Sequence, residues 1–321
     1  MTISVIITTL NRPILLKRAL QSIFNQTIVP NEIIIVEDGG DFSVVDWVTN
    51  LNRDNIIFFR HEKTQGLSAS RNTGLKLSKS NLIAFLDDDD EWLPNRLNEQ
   101  LKFYKTLTNS NLIKLACIQV GCNILNEKNE LISIALPVHC GNMKESIIHY
   151  KGVVTHSSCF LFTKHSLLNV NGFDTTLKSG IDHDIWMKLA LENYDSYNIQ
   201  LPLVNVYIDS RETMMKNTKQ RLVGIEEYVN KWKIIFDDWF DKSFYRRYYI
   251  LVISGLLGVK LANNEFKDSL HIFKNLLLKS KLNLRLNIFL FTRVTKVYVY
   301  HKFPDFRHFK RKISATNHVQ T

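Results

Sequence analysis

The chain has 321 residues, 45% hydrophobic and 22% charged, with a formal net charge of +10. That balance excludes a disordered or collagen-like polymer and leaves enough apolar side chains for one large domain or two smaller ones. The charge is uneven: residues 1–209 hold 19 Lys/Arg against 22 Asp/Glu, and residues 210–321 hold 22 against 9, so a near-neutral part precedes a strongly basic one.

In chain order, "ISVIITT" (3–9) is a β-branched apolar run and predicts a buried strand. In "NRP", Asn11 is a candidate N-cap and Pro13 opens a helix, with Ile14, Leu15, Ala19, Leu20, Ile23 and Phe24 forming its buried face. "EIIIVED" (32–38) and "NIIFFRH" (55–61) predict the second and third strands, "SASRNTGLKLS" (68–78) a helix, and "NLIAFLD" (81–87) the fourth strand. "LIKLACIQVGCNIL" (112–125) and "ELISIALP" (130–137) read as a strand pair, and "SSCFLFTKH" (157–165) as a further strand. "DHDIWMKLALENY" (182–194) predicts a helix with Ile185, Trp186, Leu189 and Ala190 on one face, and "IQLPLVNVYID" (199–209) a last strand. Beyond about residue 215 only helices are expected, the second stretch a hairpin hinged near Asn263–Asn264.

Alternating β and α with fully apolar strands predicts an α/β fold with a mainly parallel, doubly wound sheet. Such sheets bind ligands beyond the carboxyl ends of their strands. That edge carries Thr8 and Thr9, then Glu37 and Asp38, then the run Asp87–Asp90 of "FLDDDDEW". Four adjacent carboxylates repel unless a cation, a metal or water separates them. A hard divalent ion takes such oxygens, commonly with substrate phosphates; a solvated acidic turn is the alternative. The four cysteines, Cys117, Cys122, Cys140 and Cys159, lack metal-ligand spacing and are expected to be buried and reduced. The start of the chain has no leader pattern, and no apolar run approaches the roughly 20 residues that span a bilayer, so a cytoplasmic protein is expected.

Five motifs in order, "SVIITTLNR", "IIIVEDGG", "GLSASRNTG", "FLDDDDEW" and "NGFD…GIDHDIWMKLA", resemble glycosyltransferase family 2 over roughly residues 2–209. The resemblance implies a GT-A fold, Rossmann-like and mainly parallel with a small antiparallel part. It implies inverting transfer of a sugar from a nucleotide-diphosphate donor, UDP-sugar favoured, with Mn²⁺ or Mg²⁺. It places Thr8, Thr9, Asn11 and Arg12 in the nucleotide pocket, Asp38 on the base, Arg71 near the donor, Asp87 on ribose and Asp89 on the metal. Asp88 falls at a position the family varies and is grouped with the donor residues; Asp90 orients its neighbours or holds a metal-bound water. Glu37 replaces one aspartate of the usual pair, and Ile181 replaces the glutamate that precedes the base, leaving Asp182 as the catalytic base. Asp184 shares that turn, to cap or to pair, and His183 stands at the pocket edge. His156, Ser157 and Ser158 fall where the family builds acceptor contacts, with ordinary loop polarity as the alternative; Trp92 is core or an acceptor platform. Gly172 and Phe173 of "NGFD" read as structural.

The resemblance divides the chain into a catalytic domain, 1–212 (nucleotide-sugar part about 1–97, acceptor part about 98–212), and a basic helical region, 213–321. "FYRRYY" (244–249) and "FTRVTKVYVYHKFPDFRHFKRK" (291–312) interleave aromatics with cations. Such a region suits an anionic membrane surface at the inner face of the plasma membrane, or a solvated face or oligomer contact; nucleic acid is disfavoured for want of a motif. The function expected is surface-polysaccharide synthesis on a glycan or lipid-linked acceptor. Its rivals are a sugar-nucleotide nucleotidyltransferase, for which no glycine-rich phosphate loop follows the first strand, and a non-catalytic glycan-binding relative.

Overall fold

The structure, a computed structural model, describes residues 1–138, 140–150, 156–208, 218–240, 253–254, 257–258, 260–261, 264–280 and 284–302. "FYRRYY" and the end of the second basic run, beyond residue 302, lie outside the described residues, as does Asn263.

Strands β1 (Ile3–Thr9), β2 (Glu32–Glu37) and β4 (Leu82–Asp87) are almost wholly buried, as continuous Val/Ile/Leu runs demand when both faces of a sheet are covered. With β3 (Ile56–Arg60) they pair in parallel in the order β3-β2-β1-β4. The sheet continues through β9 (Phe160–Thr163), antiparallel to β4, then β6 (Leu115–Leu125), β10 (Asp195–Tyr207) and β5 (Glu91–Trp92). β7 (Leu131–Ala135) flanks β6, and β8 (Gly141–Asn142) flanks β10. The order reverses at β1, which puts a topological switch point between the carboxyl ends of β1 and β4.

The helices of this part are α1 (Pro13–Phe24), α2 (Val45–Thr49), α3 (Leu67–Leu77), α4 (Arg96–Thr106), α5 (Asn109–Lys114), α6 (Met143–Tyr150), α7 (Lys164–Asn169) and α8 (Ile181–Leu191). Helix α1 buries Leu16, Ala19, Leu20 and Ile23 against one face of the sheet, and Ile14 points to solvent, 83% exposed. The predicted stripe was therefore out of phase at its first turn. Asn11 is not the N-cap: it sits at φ 55°, a left-handed conformation asparagine tolerates, and Arg12 takes the cap position. Residues 112–114 close α5 instead of opening the strand that follows, and Ser157–Cys159 form a 3₁₀ turn before β9. Residues 164–165 begin α7, where the Thr163 hydroxyl caps the helix by accepting from Ser166 N. Cys117, Cys122 and Cys159 are buried and free; Cys140 is free but exposed, against expectation.

The chain separates into two units, Met1–Arg211 and Glu212–Thr321. In the second, α9 (Thr218–Trp239) buries Leu222, Ile225, Val229, Trp232 and Phe236 at helical spacing. Asn264, at φ 63°, turns the chain ahead of α10 (Phe266–Ser280), which packs on α11 (Leu284–Lys302). Among the described residues no helix is long and apolar enough to cross a membrane.

Gly74 lets α3 lie directly on β1: a Cβ there would meet Ile6 Cγ2 at 2.4 Å, and Ile6 is buried and cannot retreat. Helix propensity alone would make Gly74→Ala stabilising by roughly 1 kcal/mol. The clash outweighs it, so Gly74→Ala is expected to destabilise by about 1–3 kcal/mol in urea unfolding, with partial recovery when Ile6→Ala is added.

Candidate active site

The carboxyl ends of β1 and β4 stand side by side, Thr8 in register with Asp87 and Thr9 with Glu37 of β2. Past β4 the chain turns tightly, the Asp90 amide donating to the Asp87 carbonyl at 3.1 Å. Each of the four aspartates then meets a donor. Asp87 receives the Arg71 guanidinium at 2.8 Å and the Ser157 hydroxyl at 2.6 Å. Asp88 receives the Thr9 hydroxyl at 2.8 Å and Arg12 Nη1 at 3.1 Å, which also reaches Asp89 at 3.2 Å. Asp90 receives the Ser158 hydroxyl at 2.6 Å, and that hydroxyl accepts from the Asp87 amide.

Burial separates these carboxylates. Asp88 and Asp90 are buried, whereas Asp87 and Asp89 keep side-chain exposures of 31% and 27%. Desolvation, with the charge of Asp89, outweighs Arg12 and lifts Asp88 to about 6. Burial and the charges of Asp87 and Asp89 push Asp90 well above the carboxylate range. Asp87 goes the other way: Arg71 and Ser157 overcome the desolvation and hold it below its ordinary value. The half-open pair are thus the hard oxygen donors that a divalent ion and a ribose would reach, which fits the donor set expected for Mg²⁺ or Mn²⁺ beside a diphosphate. Among the described residues no three His, Cys, Asp or Glu side chains form a metal group by themselves.

Arg71 is the hub. It projects from α3, is 1% exposed, and lies against the rings of Phe85 and Phe173. Nη1 donates to Asp182 at 2.7 Å, and Nη2 donates to Asp87 and to the Ser157 hydroxyl. Burial opposes its charge, but Asp182 and Asp87 win and raise its pKa. Asp182 sits in the first turn of α8, after Gly180 in a left-handed conformation, where the helix dipole favours an anion. Its side chain keeps 42% exposure, so it is both oriented and reachable. Asp184 is buried and ion-paired with Lys188 at 3.9 Å, and His183 is exposed. The "NGFD" segment is structural as expected: Asn72 exchanges two hydrogen bonds with the Phe173 backbone, and Lys188 donates to the Gly172 carbonyl.

Several predicted donor residues act on the protein itself. Asp38 is buried and accepts from His61 Nδ1 at 2.7 Å and from the amides of Gln65 and Gly66, so it shapes the loop ahead of α3. Glu37 is buried and accepts from Arg60, the Ser43 hydroxyl and the Val44 amide. Asn11 accepts from the Asp41 amide and fixes the loop after β2. Ser157 and Ser158 are buried under the acidic turn and donate to Asp87 and Asp90, so here they act on the protein's own carboxylates. Trp92 is a core residue, not a platform: it is 3% exposed and its indole N–H donates to the Ser158 carbonyl. His156 is exposed.

Three supports escaped the sequence. Arg18 of α1 donates to the Asp89 carbonyl at 2.6 Å and pairs with Glu91. His61 joins Asp38 to Thr73 of α3. Arg96 is fully buried, stacks on Trp92 and donates to the Phe160 carbonyl; desolvation pushes it down to about 9. No short motif marks any of them: apart from the Trp92 ring beside Arg96, their partners lie 12 to 73 positions away in the chain.

The mixed α/β sheet, mainly parallel with a small antiparallel part, has a GT-A fold, as comparison with solved structures shows. Staphylococcus aureus TarS, residues 1–349, in complex with UDP-GlcNAc, aligns over 96% of this chain and 92% of its own with a TM-score of 0.58 and 14% identity. The sequence profile described as Glycosyl transferase family 2 matches residues 4–151. An uncharacterized glycosyltransferase of Rickettsia bellii is 29% identical over 71% of this chain, which spans only 32% of that protein's length. The putative colanic acid biosynthesis glycosyl transferase WcaA of Escherichia coli is 26% identical over 73% of this chain and 82% of its own. These likenesses support a family 2 glycosyltransferase, the profile match covering residues 4–151 of the 321.

Two substitutions probe this geometry. Ser158→Ala strips a donor from Asp90 and an acceptor from the Asp87 amide in a dry site, and is expected to cost about 1–3 kcal/mol in chemical denaturation. Arg71→Lys keeps the charge but loses the planar fork, so it cannot hold Asp87 and Asp182 together. The fold is expected to survive and turnover to fall at least about a hundredfold, read as product formed per enzyme with any nucleotide sugar the protein accepts.

Proposed function

We propose that this protein transfers a sugar, with inversion, from a nucleoside-diphosphate donor to a hydroxyl of a glycan or lipid-linked glycan during surface-polysaccharide synthesis. The observation that carries the reading is the buried Arg71 bridge between Asp87, at the donor edge, and Asp182, at the start of α8. A binding module has no need to hold an exposed carboxylate in fixed relation to a second one across a guanidinium. Transfer does need it: Asp182 takes the proton from the acceptor hydroxyl as that oxygen bonds to the anomeric carbon, and the bond from that carbon to the diphosphate breaks on the opposite face. The nucleoside diphosphate leaves with the electron pair.

UDP-sugar is the favoured donor, supported by the fold shared with a protein solved with UDP-GlcNAc. Asp87 would take the ribose hydroxyls. Asp89 would hold Mn²⁺ or Mg²⁺, whose charge offsets that of the diphosphate. Thr8, Thr9 and Arg12 border the same edge, and Asp38 would set the base-side loop through Gln65 and Gly66. The name of the Escherichia coli relative supports an acceptor of the surface-polysaccharide kind.

A thermal-shift screen of nucleotide sugars with Mn²⁺ tests the donor and the metal together, because a ligand of the folded state alone raises its apparent stability. A UDP-sugar is expected to raise Tm, with the metal-dependent part lost on chelation and in Asp89→Ala. Asp182→Asn is expected to keep the donor shift while transfer falls by roughly 10²–10⁴. Full transfer by Asp182→Asn would refute the base assignment.

A further inference from the structure

Helix α10 carries two apolar faces. Ile272 and Leu276 are fully buried, with Ser269 beside them, and these account for its packing. Phe266, Leu270 and Phe273 recur at i, i+4 and i+7 on a separate stripe and are 67%, 55% and 43% exposed. Lys267 and Lys274, both exposed, run along the flank of that stripe, one helical step from Phe266 and Phe273. The neighbouring α11 also exposes large apolar side chains, Ile288 at 56% and Phe291 at 73%. Large apolar side chains in such a row are uncommon on a face that meets only water.

We propose that the Phe266–Leu270–Phe273 stripe of α10 is a docking face for an anionic lipid surface, lying in the headgroup region with Lys267 and Lys274 against the phosphates. Charge selects this occupant. Residues 212–321 hold 21 Lys/Arg against 9 Asp/Glu, so two copies of the unit repel, while a negatively charged leaflet attracts it. An aromatic stripe bordered by lysines is the pattern that seats a helix in the plane of an interface. No described helix is long and apolar enough to span, so the contact is surface docking. The inference does not depend on the transfer chemistry; it concerns residues remote in sequence from Asp87, Arg71 and Asp182.

The test is co-sedimentation of the full chain with vesicles of phosphatidylcholine alone or mixed with phosphatidylglycerol. Binding is expected only to the mixed vesicles, falling as salt is added. Lys267→Ala with Lys274→Ala is expected to lower the partition coefficient about thirtyfold, the product of two near-surface lysines. Phe266→Ser with Phe273→Ser is expected to abolish binding, and Phe266→Leu with Phe273→Leu to retain it, with thermal melts showing that each variant folds. Equal partition into both vesicle types overturns the proposal, as does no binding at low salt. So does light scattering that shows a dimer dissociated by Phe266→Ser with Phe273→Ser, since the stripe is then a contact between copies.

Discussion

A guanidinium with almost no access to water, held between two carboxylates from distant parts of the chain, organises the catalytic unit. Arg71 reaches Asp87 at the end of β4 and Asp182 at the start of α8, 111 positions further along the chain than itself. Burying an arginine this deeply is unfavourable unless its charge and its N–H groups are matched. Here both partners are anionic, Ser157 takes a further bond, and two aromatic rings lie beside the cation, leaving Nε as the buried nitrogen without a hydrogen-bond partner. The pairing works in both directions. Asp87 stays ionised in a crowded acidic turn, and Asp182 acquires a fixed direction despite its exposure. A lysine, a point charge on a flexible stem, would satisfy one carboxylate at a time.

The supports around that bridge have one theme, which is the control of backbone at the sheet's carboxyl edge. Asp38 with His61 and Glu37 with Arg60 tie down the loops after β2 and β3. Trp92 and Arg96 hold the Ser158–Phe160 backbone from below, and Ser158 in turn holds the Asp87 amide. Side chains that resemble ligand contacts in a linear sequence are here the ties that set where ligand contacts can be. Loops carry chemistry only when a rigid frame fixes them, and these hydrogen bonds are the frame.

The strands were legible because β1, β2 and β4 are unbroken β-branched runs, a signal that tertiary context rarely overrides. The edge that bears Thr8, Thr9, Asp38 and Asp87 followed from topology. Helix α1 was misphased because Leu16 and Ile14 are interchangeable to a hydrophobicity count, and only the angle of α1 on the sheet decides which is inside. Asn11 failed as a cap because its left-handed backbone is fixed by the loop at Asp41, 30 residues on. For Ser157 and Ser158 the sequence left two readings open, acceptor contact or ordinary loop polarity, for a related reason. A hydroxyl's role depends on whether it faces solvent or a buried carboxylate, and nothing local in "THSSCF" encodes that. The Arg71–Asp182 pair was beyond reach: both residues were picked out, but their contact is a product of folding.

The run of four aspartates shows how burial turns one composition into two kinds of group. A tight turn after β4 alternates the environment, so Asp88 and Asp90 face inward and Asp87 and Asp89 stay half open. The inward pair lose much of their tendency to ionise, Asp88 only near pH 6 and Asp90 well above the usual range. A proton held by Asp90 lowers the repulsion on Asp87, whose charge Arg71 and Ser157 sustain. Had all four been exposed, water would have screened them and none would be aimed; had all four been buried, none could reach a ligand. The alternation leaves two directed anionic oxygens donors at the switch point of the sheet, one tethered to Arg71 and the other to Arg12, with the remaining two aspartates acting as hydrogen-bonding props beneath them.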